Sequence, residues 1–202
     1  MLITSKGCSG KSVLVRNLLK NMFDKYEYDA VLLFSDTARF TDDYKFINKN
    51  NIYKTEEIET QLEEVLKVQE KNFNKNIIVN VMIILDDVKI HAKSKELINL
   101  ATYGRHFKIT TILSSQFPRQ LVCPAIRSNA SYIFFSDLGF SSLKAIYELV
   151  HFRMSFKKFN DFVDENNHNF QFIFYDGMIS DKDKIKIVKA KQYNNLEMKK
   201  IK

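Results

Sequence analysis

Two prolines, five glycines and two cysteines are few for 202 residues, and each shortage excludes something. So little Gly and Pro argues against long linkers and low-complexity tracts. Cys8 and Cys123 cannot build a disulfide framework, and Cys8 sits inside a Gly/Ser loop, so a reducing compartment is expected. No apolar run approaches the ~20 residues that span a bilayer, so neither a transmembrane segment nor a membrane partner is expected. The N-terminus does not read as a signal peptide, because a polar loop begins where the apolar stretch would have to continue. What is left is a globular composition, 45% hydrophobic, at a length that suits one α/β domain with a sizeable core.

The net charge of +7 is unevenly spread. Between Lys182 and Lys202 eight lysines face only Asp183 and Glu197, which leaves the rest of the chain nearly neutral. This divides the sequence into a folded domain over residues 1–190 and a basic C-terminal tail over 191–202. Such a tail reads either as an arm for nucleic acid or an acidic partner, or as a solubilising segment.

Along the chain, strand and helix signals alternate. Leu2-Ile3-Thr4 reads as the end of a first strand, and Val13, Leu14, Leu18, Leu19 and Met22 as a helical stripe. Ala30–Phe34 is a continuous apolar run, as a buried parallel strand requires. Thr55 is the expected N-cap of a helix carrying Ile58, Leu62, Val65, Leu66 and Gln69, with Glu56 and Glu57 in its first turn. Residues 79–87 form the strongest strand signal. Lys93 to Tyr103 reads as a helix stopped by Gly104, and Ile109 to Ser115 as a strand broken by Phe117-Pro118. A strand at Tyr132–Phe135, helices at 142–150 and 154–163, and two alternating segments at 170–175 and 185–188 follow, with Asp176-Gly177 marking a turn. Strands alternating with helices imply a mainly parallel sheet covered on both faces, closed by a C-terminal β-hairpin. One oddity is the first strand: three residues against a usual length of about five. Either the chain has been trimmed or the core tolerates a stub there.

Two strings carry the chemistry. Ser5-Lys6-Gly7-Cys8-Ser9-Gly10-Lys11-Ser12 is a phosphate-binding loop, between a strand and a helix. Such a loop turns backbone N–H groups around a triphosphate, and the following helix presents its N-terminus to the same negative charge. Lys11 adds a point charge near the β/γ oxygens, and Ser12 offers a hydroxyl to Mg²⁺. The usual first glycine is Ser5; Gly7 and Gly10 keep backbone freedom inside the loop. The second string, Val81-Met82-Ile83-Ile84-Leu85-Asp86-Asp87, ends a buried strand in two acids. Asp86 is expected on the Mg²⁺ side, and Asp87 beside the attacking water, although Asp is one methylene shorter than the Glu common at that place. Gln116 closes the next strand, and strand C-termini face the ligand crevice of a parallel sheet, so its amide is a candidate for orienting water or sensing the γ-phosphate. His91 and His106 have no metal-ligand partners at useful spacing, so no structural metal is expected.

With ATYGRHFKITTILSSQFP and PAIRSNASYIFF added, the sequence resembles the HerA/FtsK superfamily of P-loop motors. It looks most like the genome-packaging ATPases of poxviruses, other large DNA viruses and virophages, over roughly Leu2 to Val150. The resemblance implies a RecA-like domain that assembles as a homo-oligomeric ring around double-stranded DNA. It also implies ATP and Mg²⁺ at subunit boundaries, viral capsid components as possible partners, and a place in the host cytoplasm or virion. By motif, Lys11 and Ser12 are the Walker A pair, Asp86 the Mg²⁺ carboxylate, Asp87 the catalytic one and Gln116 the sensor. Arg105 matches a prominent arginine of these motors and is the expected finger onto a neighbouring subunit's ATP. Because it precedes its strand, it lies far from the nucleotide of its own subunit. Arg119 and Arg127, which follow the Gln116 strand and are expected nearer the ligand side, are the alternatives for finger or DNA contact. Two other readings of the same loop stay open: a small-molecule kinase, and a nucleotide-gated scaffold without turnover.

Overall fold

The structure is a computed structural model, and it describes residues 1–91, 93–118, 124–150, 154–179 and 184–191. Arg119, Cys123 and residues 192–202 of the basic tail lie outside them. The elements run β1 (Leu2–Ser5), α1 (Lys11–Lys25), β2 (Ala30–Phe34), β3 (Ile52–Tyr53), α2 (Ile58–Asn74), β4 (Val81–Asp86) and α3 (Lys95–Tyr103). Then come β5 (Ile109–Ser115), α4 (Pro124–Asn129), β6 (Tyr132–Ser136), α5 (Phe140–Val150), α6 (Phe156–Asn166), β7 (Gln171–Asp176) and β8 (Ile185–Lys189). Short 3-10 turns at Asp42–Tyr44, Lys49–Asn51 and Thr55–Glu57 punctuate the stretch between β2 and α2.

All eight strands share one sheet in the order β3-β2-β4-β5-β1-β6-β7-β8. The first six in that order are parallel, whereas β7 runs antiparallel to β6 and β8 antiparallel to β7. The expected C-terminal hairpin is therefore present, joined edge-on to the parallel sheet. Strand β1 has four residues, all buried, yet it pairs on both sides: Leu2 with Leu113 of β5 and with Ile133 of β6. Pairing on both edges and complete burial hold this short strand at the centre.

Alternate residues of the parallel strands face two cores. Val31, Leu33, Met82 and Ile84 point to the face carrying Leu14, Val15 and Leu19 of α1. Leu32, Phe34, Ile83 and Leu85 point to the other, with residues of α2, α3, α5 and α6. Burial on both faces is why these strands read as unbroken apolar runs.

Two local expectations need correction, and a third holds by another route. Thr55 is not an N-cap; it lies inside a 3-10 turn, and its backbone N–H and hydroxyl donate to the Asp36 carboxylate at 2.9 and 2.8 Å. A carboxylate from the end of β2 outcompetes the local cap and lowers the Asp36 pKa in doing so. Helix α3 starts at Lys95 rather than Lys93, because the Ser94 hydroxyl accepts from the Leu97 N–H. Gly104 does end α3, but in right-handed backbone. Its missing side chain serves close approach instead: a methyl there would stand 2.5 Å from the Leu100 carbonyl oxygen. Strand β3 and helix α4 carry too few residues to register as a period. Among the described residues, no helix is long and apolar enough to cross a membrane.

Candidate nucleotide site

Strand order sets the site. Strand β5 lies between β1, which delivers the loop, and β4, which delivers the acids, so Gln116 emerges between them. The loop's first residue, Ser5, is buried at the end of β1. The Ser9 hydroxyl, 2.6 Å from the Ser5 hydroxyl and 2.7 Å from the Lys6 carbonyl, ties the loop to itself. The serine standing for the usual first glycine thus becomes a staple. From outside, Asp137 after β6 accepts from the Lys6 ammonium at 2.8 Å and from its backbone N–H at 3.2 Å. Left-handed backbone falls at Cys8 (φ 59) and Gly10 (φ 88) and not at Gly7, so the freedom expected of Gly7 is used one residue later. Gly7 lies beside Gln116, whose Oε1 would stand at ordinary contact distance, 3.5 Å, from an added methyl, so neither backbone nor space demands a glycine there.

At the far side of the loop, Lys11 begins α1 and is almost fully buried. Its ammonium meets Asp87 Oδ2 at 2.5 Å, and the Gln116 amide donates to the same oxygen at 3.1 Å. Asp87 reaches them because the strand stops at Asp86 and Asp87 turns left-handed, φ 51, which breaks the alternation of side chains. Its N–H still pairs with the Ser114 carbonyl at 3.0 Å, which fixes the turn.

Asp86 keeps the alternation and points into the α1 face with Met82 and Ile84. It is buried, and the Tyr44 hydroxyl donates to its Oδ2 at 2.7 Å. Its Oδ1 is buried and makes no well-formed hydrogen bond among the described residues, although the Ser114 hydroxyl stands close enough to favour its charged form. Burial pushes the Asp86 pKa up, as does the Asp87 charge, against the Tyr44 and Ser114 hydroxyls and the Lys11 charge. Tyr44 itself is driven well above its ordinary value, by burial first and by Asp86 second, so it stays a donor. A buried carboxylate oxygen with coordination to spare, on the sheet face packed by the helix that carries Ser12 in its first turn, suits an oxygen-seeking cation such as Mg²⁺ or its bound water. The residues present fit that ion. No cluster of three or more metal-ligating side chains occurs among the described residues.

Tyr44 was invisible in the sequence because it sits in irregular chain with no period around it. Arg16 of α1, whose guanidinium pairs with Asp43 at 2.8 Å, locks that same turn onto the loop helix. The arginines fall elsewhere. Arg105 is exposed in the turn between α3 and β5, beside a hollow of about 240 Å³ at the starts of β1, β5 and β6. It is at the opposite end of the sheet from the loop, as its place before β5 requires. Arg127 is exposed on α4, whose Ile126 and Asn129 line that same hollow. Chain order suggested the ligand side for Arg127; α4 instead lies beside the strand starts.

A loop-bearing central strand, an acid-bearing strand one place removed and a polar sensor between them define a P-loop NTPase fold. Residues 1–199 match the poxvirus A32 protein family, and the chain belongs to it. No curated protein sequence matches it. Among solved structures, it is similar to the genome packaging NTPase B204 from Sulfolobus turreted icosahedral virus 2 in complex with ATPγS, at TM-score 0.64 and 16% identity, covering 94% of this chain and 95% of that one. It is also similar to the pCW3 conjugation coupling protein TcpA with ATPγS, at TM-score 0.65 and 14% identity, over 94% of this chain and 59% of TcpA. The ATPases 2 and 3 of EssC from Geobacillus thermodenitrificans give TM-score 0.60 at 14% identity, over 97% of this chain and 40% of theirs.

Proposed function

We propose that this chain is the ATP-hydrolysing motor that drives double-stranded DNA into a viral capsid, as a ring of identical subunits. The carrying observation is the Lys11–Asp87–Gln116 contact over the phosphate loop. It gathers a phosphate cation, a carboxylate and an amide where a γ-phosphate and its attacking water would meet. The family match and the kinship with a genome packaging NTPase support the same reading.

In this reading the N–H groups of residues 5–12 hold the triphosphate, and Lys11 moves from Asp87 to the phosphate oxygens. Ser12 and Asp86 hold Mg²⁺, which when bound offsets charge on those oxygens. Freed from Lys11, Asp87 takes a proton from a water that Gln116 orients. The water oxygen bonds to the γ-phosphorus as the bond to the β-bridging oxygen breaks, releasing ADP. A kinase would need an acceptor pocket at this spot, and a carboxylate–amide pair poised for water supports hydrolysis instead. Arg105, exposed and without an ion pair among the described residues, is proposed as the finger in trans, with Arg127 and Arg119 as alternatives. Residues 1–190 form the motor domain; the tail from 191 serves DNA or a capsid component. Work in the infected cell's cytoplasm or in the virion follows from packaging.

ATPase rate measured against protein concentration, with and without duplex DNA, tests this. The rate per subunit should rise with concentration and with duplex, and the DNA effect should fade steeply with salt, because contact to phosphates releases counterions. Arg105→Ala subunits mixed with Lys11→Ala subunits should recover part of the activity in mixed rings. A rate indifferent to both concentration and DNA rejects the motor; no recovery at any mixing ratio, with rings present, rejects Arg105 as a trans finger.

Tyr44→Phe gives a separate test of the acid pair. Without its hydroxyl the Asp86 carboxylate loses the hydrogen bond that favours ionisation, so its pKa rises further and the acid limb of the pH–rate profile moves to higher pH. Turnover at neutral pH should fall about 10- to 100-fold, partly restored by excess Mg²⁺. An unshifted acid limb would show that Tyr44 only packs.

A further inference from the structure

Phe170 has no role in the reading so far. It lies between α6 and β7, and β7 is two places from β1, so its loop stands beside the phosphate loop. The ring covers Gly10, the residue just before α1. A methyl on Gly10 would fall 3.0 Å from Phe170 Cδ1, 3.6 Å from its Cβ and 3.7 Å from its Cγ. Despite this contact the side chain is 58% exposed, an unfavourable setting for a bare benzyl group.

The backbone makes the placement stranger. Asn169 and Phe170 are consecutive left-handed residues, φ 51 and φ 61, and for an aromatic side chain that conformation costs roughly 1–2 kcal/mol. Such strain persists only where the surroundings impose it. Here the Gln171 N–H donates to the His168 carbonyl at 3.0 Å, and the Ala190 N–H to the Phe170 carbonyl at 3.0 Å. The Asn167 side-chain oxygen accepts from the Ser136 hydroxyl at 2.7 Å and from the Asp137 N–H at 2.9 Å. Asp137 is the residue that grips Lys6, so one network fixes both the phosphate loop and the mount of the ring. The segment after β8 closes the frame, since Lys191 and Asn17 of α1 exchange two hydrogen bonds at 2.9 and 3.0 Å.

We infer that Phe170 is the platform on which the base of the bound nucleoside triphosphate stacks. This rests on the triphosphate site proposed above. A rigidly mounted, solvent-facing π-surface against the last loop residue is where a nucleoside attached to the held phosphates can lay a flat ring. Stacking needs only a π-face, so it accepts every base and sets affinity more than base choice. No kinship or motif pointed to this residue; burial, strain and contact do.

The chain contains no tryptophan, so Phe170→Trp supplies a single tryptophan at the ring's position, which can be excited selectively over the nine tyrosines. ATP should change its emission, whereas inorganic tripolyphosphate, which has no base, should leave it nearly unaltered. Phe170→Asn removes the ring with a residue that tolerates left-handed backbone, so the loop survives. It should weaken ATP and GTP alike by about tenfold, with tripolyphosphate affinity unchanged. Phe170→Tyr should bind ATP as the parent does. Equal ATP affinity in the Asn variant, or a parallel loss of ATP and tripolyphosphate, overturns the base platform while leaving the triphosphate site standing. A parent chain that binds neither ligand removes the triphosphate site, and the platform with it.

Discussion

A Lys11→Ala chain should fold and yet fail to hold ATP. The Lys11 side chain is only 5% exposed, and its ammonium is the cation set between the loop and the paired acids Asp86 and Asp87. Without it, a triphosphate entering the loop meets two carboxylates with no intervening positive charge. Losing the ammonium's charge-assisted contact with a phosphate held in the loop costs about 3 kcal/mol or more, over about a hundredfold in Kd. The backbone N–H groups remain, so weak phosphate binding should persist and hydrolysis should vanish. Fold stability should change little, because Asp87 is 32% exposed and can be rehydrated once its partner is gone. Titration calorimetry with ATP, run beside a thermal melt, separates the two effects. Parent-like affinity with an unchanged melt would mean that Lys11 serves the fold's charge balance and not the ligand.

The residues that make this prediction possible were legible for a physical reason. The loop and the acid-ended strand are contiguous strings, and each imposes its own local structure: a nest before a helix, a buried strand before a polar turn. Gln116 was legible by order alone, since the strand following the acids emerges between them and the loop. Tyr44, Arg16 and Phe170 were not, because their roles depend on partners far along the chain and on irregular backbone. Tyr44 reaches Asp86 across 42 positions, from a 3-10 turn with no hydrophobic period. Thr55 failed as a cap for the same reason: the competing acceptor, Asp36, sits 19 residues earlier. The side of the sheet taken by Arg127 was also hidden, because the six residues of α4 are too few to show a period from which its placement could be read.

Asp87→Asn should have the opposite signature, with binding kept and chemistry lost. In the structure Asp87 Oδ2 holds Lys11 and the Gln116 amide at once, so an incoming triphosphate must compete with a carboxylate for the lysine. An amide oxygen competes poorly with phosphate for an ammonium, since a neutral acceptor forms a bond roughly half as strong as a charged one. ATP affinity should therefore stay equal or rise. The asparagine has the same shape and still accepts from Gln116, so the geometry over the loop is preserved. What it cannot do is take a proton from water, and loss of a general base costs about 10² to 10⁴ in rate. Single-turnover hydrolysis measured on the preformed ATP complex isolates that step from binding. If the asparagine chain hydrolyses at the parent rate, the base lies elsewhere, and the Lys11–Asp87 contact is only a latch that nucleotide opens. If instead binding collapses along with hydrolysis, Asp87 organises the loop rather than the water, and Asp86 becomes the remaining acid able to act on the attacking water.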